Sequence, residues 1–381
     1  MIRIAPTATD RRTAILLGAL ATLACTDPAL VDDAAAPPWG PERAVADTSD
    51  GVRILVLHDM EGLVDQTDPT SFDFGTPLYP QTQELLAADV NAVVEGLFLG
   101  GATAVDVVDG HGSGNPDPDL RPDLLDTRAT QLLRDEPFDA YFDTPQFGGY
   151  DGVAVVGMHA KTGSGGFASH TYTLGIGLVV NGQAITETEL VGLSWGRVGV
   201  PVIFGSGDDR LAADLATMPW LEFVTVKTAV GADSAVVRPA AEARAELTAR
   251  ARAAVENLLA GRTFAMRPPA PLRVGVKAVP PASLALIAGL PGITVADSVA
   301  TFSADSIRPA YAAAQMLIRI AGQPDFVNRL RQSVARRPGG KAQLDTVWSE
   351  LSAIWFDYES GRWRPPVAAP TTVARKHHGY R

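Results

Sequence analysis

The sequence predicts an α/β fold: a largely parallel sheet sandwiched by helices, followed by a smaller C-terminal α/β lobe. Three observations predict it. Continuous apolar runs of strand length recur, as in Val52 to Leu57, Gly152 to Met158 and Pro201 to Gly205. Such runs suit strands covered on both faces, the situation in a parallel sheet. Segments of helical period lie between them, and glycine and proline mark the changes from one element to the next.

Order is expected to begin at the strand Val52 to His58. Between Pro80 and Gly101, the residues Leu86, Val90, Val93, Val94 and Leu97 recur at helical spacing, and Gly100-Gly101 supplies the stop. Ala104 to Val108 is a second strand and Gly152 to Met158 a third. The segment 171–185 reads as a hairpin turning at Asn181-Gly182, and 187–198 as a helix. The strands 201–205 and 223–227 flank a short helix, and an Ala-rich helix covers 238–260. Strand, helix, strand and helix are then expected at 272–279, 282–288, 294–302 and 304–321. These elements give a main α/β domain over 51–265, a smaller lobe over 266–325, and an extension over 326–381 that is helical near Leu344 to Phe356 and disordered after Arg364.

The first 25 residues read as a signal. Arg3, Arg11 and Arg12 precede the apolar run Ala14 to Ala24, which ends at Cys25. The run is short of the roughly 20 residues that span a bilayer. Cys25 is the only cysteine and stands where a lipoprotein signal places its lipidated residue, although Thr22 occupies a position where a larger aliphatic residue is usual. Lipid anchoring through Cys25, a plain cleaved signal and an inert tail stay open at this level. The Arg11-Arg12 pair also suggests twin-arginine export, its flanks matching weakly. Residues 26–50, rich in Ala, Pro and Asp, read as a flexible tether. The expectation is an exported protein, periplasmic or on the cell surface.

The formal net charge is −11, and no basic patch interleaved with aromatics occurs, so nucleic-acid binding is not expected. A lone cysteine allows no intrachain disulfide.

The histidines carry the functional signal. His377 and His378 read as a solvated basic tail. Of the other four, His58, His111 and His159 stand at or just past the carboxyl ends of three expected strands, and His170 follows shortly after. In open α/β sheets the ligand crevice lies outside those ends. Asp59, Glu61, Asp109 and Glu187 arrive at the same edge. Taken singly, each histidine suits a structural role and each acid a cap or turn; their convergence points to metal. Imidazoles plus carboxylates without sulfur suit Zn²⁺, with Mn²⁺ or Co²⁺ also open. Two ions sharing a bridging carboxylate would lower the pKa of a bridging water.

The ordered series His58-Asp59-Met60-Glu61-Gly62, Asp89-Val90-Asn91-Ala92, Asp109-Gly110-His111-Gly112, Gly157-Met158-His159-Ala160, Ser169-His170-Thr171, Thr186-Glu187 and Ser206-Gly207-Asp208-Asp209 resembles the DppA-type D-aminopeptidases from about residue 52 to about 320. The resemblance implies two zinc ions per subunit, ligated by Asp59, Glu61, His111, His159 and Glu187 with Asp59 as the bridge, and His170 as the catalytic histidine. It also implies release of N-terminal D-residues from short peptides such as D-Ala-D-Ala by a metal-activated water, and a ring-shaped homo-oligomer.

Some positions depart from the pattern. His58 replaces a small or aliphatic residue and reads as a supporting or packing side chain in preference to an extra ligand. Leu190-Val191-Gly192 stands where the family usually carries an Asn. The segment Tyr141 to Tyr150 and the chain beyond about 325 are additional. Asp208 and Asp209 read as caps of the following helix. Lys227 is left open between a crevice residue and a snorkelling surface lysine. A metal-dependent amidase or phosphoesterase on the same fold, and a non-catalytic peptide-binding lipoprotein, are the alternative functions.

Overall fold

A computed structural model describes residues 39–364, except 269 and 281, and residues 376–380. The signal at 1–25, Cys25 and most of the tether lie outside the described residues. The order in chain begins earlier than expected, however. Gly40–Ala44 (β1), within the segment read as tether, pairs antiparallel with a strand more than 200 residues later, and Trp39 before it is buried. A pairing that distant leaves no local period to read.

The next elements are Arg53–His58 (β2), Tyr79–Leu99 (α1), Ala104–Asp109 (β3), Ala129–Gln131 (β4) and Gly152–Val156 (β5). Ile176–Val180 (β6) and Gln183–Ile185 (β7) form the expected hairpin, with Asn181 and Gly182 both at positive φ as its turn requires. Glu187–Gly196 (α2), Val202–Asp208 (β8), Asp209–Asp214 (α3), Glu222–Gly231 (β9), Ser234–Val237 (β10) and Ala240–Leu259 (α4) follow. Thr263–Arg267 (β11) is the partner of β1. Leu272–Ala278 (β12), Thr294–Ala296 (β13), Val299–Ala304 (β14), Ile307–Ala335 (α5) and Gly340–Glu359 (α6) complete the described elements.

The main sheet has seven strands in the order β10-β9-β8-β5-β2-β3-β4, parallel throughout except at the β10 edge. From β2 the chain builds outward through β3 and β4, then returns to the other side of β2 with β5, β8 and β9. The order therefore reverses between β2 and β5, the switch point where open α/β sheets leave a crevice.

Both faces of the sheet are covered, which explains the unbroken apolar runs. In β2, Ile54 and Val56 face α1 and α4, whereas Leu55 and Leu57 face the layer containing Trp195 of α2. A second sheet, β13-β14-β12-β6-β7, is antiparallel and joins the hairpin at 176–185 to strands of the 272–304 segment. The expected helix at 282–288 is a run of turns. Pro280 and Pro291 bracket it, leaving too few residues for a stable helix nucleus.

Candidate metal centre

The carboxyl ends of β2, β3 and β5 deliver the acidic and imidazole groups to the crevice. Asp59 follows β2, and its N–H donates to Val156 of β5 at 2.8 Å, fixing it over the switch point. Gly157 turns the chain at a φ of +74°, where an added Cβ would stand 2.5 Å from the Asp59 carbonyl. This close approach aims His159 back over the sheet edge. Glu187 sits in the first turn of α2, a helix buried along its whole length and opened by a capping box between Thr186 and Glu189.

The six site residues expected from sequence come together. His111 Nδ1 lies 2.9 Å from Asp59 Oδ1 and 3.3 Å from Glu61 Oε2. His159 Nε2 lies 3.5 Å from both Asp59 Oδ2 and Glu187 Oε1. His170 Nε2 stands 3.9 Å from Glu61 Oε1 and 4.0 Å from Glu187 Oε1, its ring stacked on that of His159 at 3.9 Å. Asp59, Glu61 and His111 form one group able to hold an ion, and Asp59, His159 and Glu187 a second. Glu61, His159 and His170 form a third such group.

The donor set fits a metal on a further observation. The ring nitrogens turned away from the cluster face main-chain carbonyls: His111 Nε2 that of Phe72 at 3.2 Å, His159 Nδ1 that of Ala160 at 3.0 Å, and His170 Nδ1 that of Ala168 at 2.6 Å. Each carbonyl holds a proton on that nitrogen, so the other nitrogen is the one that can turn a lone pair into the cluster. His159 Nε2 is buried there without a hydrogen-bond partner among the described residues.

The charges agree with this arrangement. Burial works against ionisation of His159, but Glu187, Glu61 and Asp59 outweigh it and lift its pKa to about 10. Burial opposes a charge on His111 as well, and Glu61 and Asp59 again outweigh it and carry it well above the usual imidazole range. Glu187 is drawn down to about 2, against burial, by His159 and His170. Burial, then the charge on His159, lowers His170, which stays the neutral imidazole of the group. Buried carboxylates without a cation thus gather protons onto His111 and His159.

The neighbouring residues fall as follows. His58 is fully buried, kept neutral by burial, and belongs to none of the three ion-holding groups, in keeping with a packing role. Asp109 does not join them either: its carboxylate accepts the N–H groups of His111 and Asp119 at 3.0 and 2.7 Å. Asp208 caps α3 through the Leu211 N–H, as read from sequence. Lys227 is buried, which overturns the surface reading, and its Nζ donates to the Glu61 carbonyl at 2.6 Å, behind the cluster and outside the lining of the cavity. The solvated-tail reading fails for His378. It is buried, 3.3 Å from Asp109 Oδ2, because Ala140 donates to the Gly379 carbonyl and draws residues 376–380 onto the domain.

A cavity of about 400 Å³ opens over the cluster. Sequence reasoning did not find several of its walls: Tyr141, Tyr172, Tyr380, and Tyr311, Gln315 and Arg319 of α5. The only signal for the last three was their four-residue spacing on an otherwise Ala-rich helix. The Tyr141 hydroxyl donates to Glu187 Oε2 at 2.5 Å, and the Tyr172 N–H to Glu187 Oε1 at 2.5 Å.

Comparison with known proteins adds a family. Among solved structures, the fold is similar to the Zn-dependent D-aminopeptidase DppA from Bacillus subtilis, described as a self-compartmentalizing protease. The TM-score is 0.63 at 21% identity, covering 71% of this chain and 98% of that one. No curated protein matches the sequence. Residues 52–316 match the peptidase M55 family, described as D-aminopeptidase. With that match spanning well over half its length, the chain belongs to the M55 family of D-aminopeptidases and is a hydrolase of that family.

Proposed function

We propose that this chain is an exported di-zinc aminopeptidase that removes the N-terminal D-residue from short peptides such as D-Ala-D-Ala. The observation that carries the reading is the position of Asp59, whose two carboxylate oxygens face different imidazoles, Oδ1 that of His111 and Oδ2 that of His159. One carboxylate between two ligand groups is the arrangement a bridged pair of ions needs. Asp59, Glu61 and His111 would hold one ion, and Asp59, His159 and Glu187 the other, with Mn²⁺ or Co²⁺ as alternative occupants. When bound, the ions lower the pKa of a water and polarise the scissile carbonyl.

The protein's own groups do the rest. His170 Nε2, neutral and facing the carboxylates, accepts the proton of the attacking water and passes it to the departing amine. The Ala168 carbonyl keeps the His170 ring in the orientation that presents Nε2. Tyr141 and the Tyr172 N–H fix both oxygens of Glu187.

Export rests on the Arg3 to Cys25 pattern, with Cys25 as the point of a lipid anchor. Self-association draws support from DppA, described as self-compartmentalizing, and from α6. That helix exposes Val347, Trp348, Leu351, Ile354, Trp355 and Tyr358.

Elemental analysis of the purified mature protein and D-Ala release from D-Ala-D-Ala test the proposal together. Two zinc ions per chain are expected, with activity falling by on the order of 10²-fold or more in Glu187→Ala and His159→Ala. Protein that binds no metal, or full activity in both variants, would sink it.

A further inference from the structure

The cavity is acidic around the cluster, with Asp59, Glu61 and Glu187, and Asp73 nearby. Asp139 also lines it, and its carboxylate accepts the Tyr311 hydroxyl at 3.4 Å and the Gln315 amide at 3.3 Å. On the far wall, Tyr311, Gln315 and Arg319 project from one face of α5, four residues apart. Arg319 is the one guanidinium or ammonium group among the described residues that line the cavity. It hydrogen-bonds the Tyr172 hydroxyl, to which the Gln315 amide also donates at 3.2 Å.

Tyr172 sets the distance. Its N–H is on Glu187 at 2.5 Å, while its hydroxyl is beside Gln315 and Arg319. Its backbone is held at a φ of +76°, a conformation that a side chain of this size rarely adopts unless its surroundings impose it. The end of the cavity that holds Arg319 therefore lies one tyrosine side chain from the cluster. A peptide extends by roughly 3.5 Å per residue, so a substrate whose scissile bond meets the cluster reaches this end after a single further residue.

We propose that Arg319, together with the Tyr172 hydroxyl, binds the C-terminal carboxylate of the substrate and so selects dipeptides with a free acid end. This rests on the aminopeptidase reading and extends it to the substrate class. Arg319 and its carboxylate form a charge-assisted pair, which a planar guanidinium makes with two parallel hydrogen bonds.

The test compares D-Ala-D-Ala with its C-terminal amide in wild type, Arg319→Met and Arg319→Lys. Wild type should favour the acid over the amide by about tenfold or more in kcat/KM, mainly through KM. In Arg319→Met that preference should collapse towards one, and Arg319→Lys should recover part of it. Equal use of acid and amide by wild type, or a preference that survives in Arg319→Met at unchanged thermal stability, overturns the anchor. If neither peptide is hydrolysed, the aminopeptidase reading fails separately. The anchor is then judged by calorimetric binding of the same two peptides, where tighter binding of the acid that depends on Arg319 supports it and equal binding overturns it.

Discussion

Replacing Tyr141 by Phe isolates one hydrogen bond at the centre of the site. The Tyr141 ring is buried and stays in place in the variant; only the hydroxyl that donates to Glu187 Oε2 at 2.5 Å is lost. Oε1 keeps the Tyr172 N–H, so Glu187 retains one of these two donors and gains a rotational freedom that it lacks in the wild type. A hydrogen bond to an ionised group contributes roughly 1.5–3 kcal/mol. At about 1.4 kcal/mol per factor of ten, this becomes a zinc affinity weaker by roughly 10- to 100-fold at the Glu187 position, the range seen when partners of metal ligands are removed. Equilibrium competition against a chelator of known affinity, for wild type and Tyr141→Phe side by side, measures it. With zinc in excess, the turnover number should largely return. Unchanged zinc affinity in a folded Tyr141→Phe protein would refute the reasoning, since the hydroxyl would then have no part in orienting the ligand.

Three further outcomes are expected. Because the metal-free pKa of His159 is about 10 and that of His111 lies well above the usual range, both rings carry protons at neutral pH that zinc must displace. Zinc affinity should therefore fall as pH falls, and calorimetry in buffers of different ionisation enthalpy should detect protons released on binding; zero release would contradict the charge assignment. At Gly62 an added Cβ would lie 2.0 Å from the Met158 carbonyl, and the Gly62 N–H donates to Gly157 at 2.7 Å, so Gly62→Ala must push β5 and the Glu61 loop apart. A loss of about 2 kcal/mol or more, read as a lower denaturation midpoint, is expected. Trp355→Glu on α6 should lower the mass seen by light scattering while leaving peptide hydrolysis intact, as Trp355 is more than half exposed and does not line the cavity.

Much of the sheet could be read from the chain because burial on both faces writes an unbroken apolar run, as in Val153 to Val156 and Ile54 to Leu57. The positions of His58, His111 and His159 past such runs then located the crevice, since the end of a parallel strand is a local feature. What was missed depends on pairing across long separations. The β1–β11 ladder and the second sheet, which unites 176–185 with 272–304, have no local signature beyond short β-branched segments. Tyr141 reaches Glu187 from a loop with no period, and His378 reaches Asp109 from a tail whose composition alone suggested solvent. The Lys227 ambiguity also came from its surroundings: a lysine in a strand looks alike in sequence whether it meets water or the Glu61 carbonyl.

The three carbonyls that steady the imidazoles belong to Phe72, Ala160 and Ala168, and none of them is a side-chain group. The protonation pattern of the ligand set is thus inherited from the course of the backbone. Mutational drift can exchange the side chains at 72, 160 and 168 without altering which nitrogen is free, so long as the loops keep their path. Divergence to low identity can therefore rewrite the walls of the cavity while the chemistry at its floor persists.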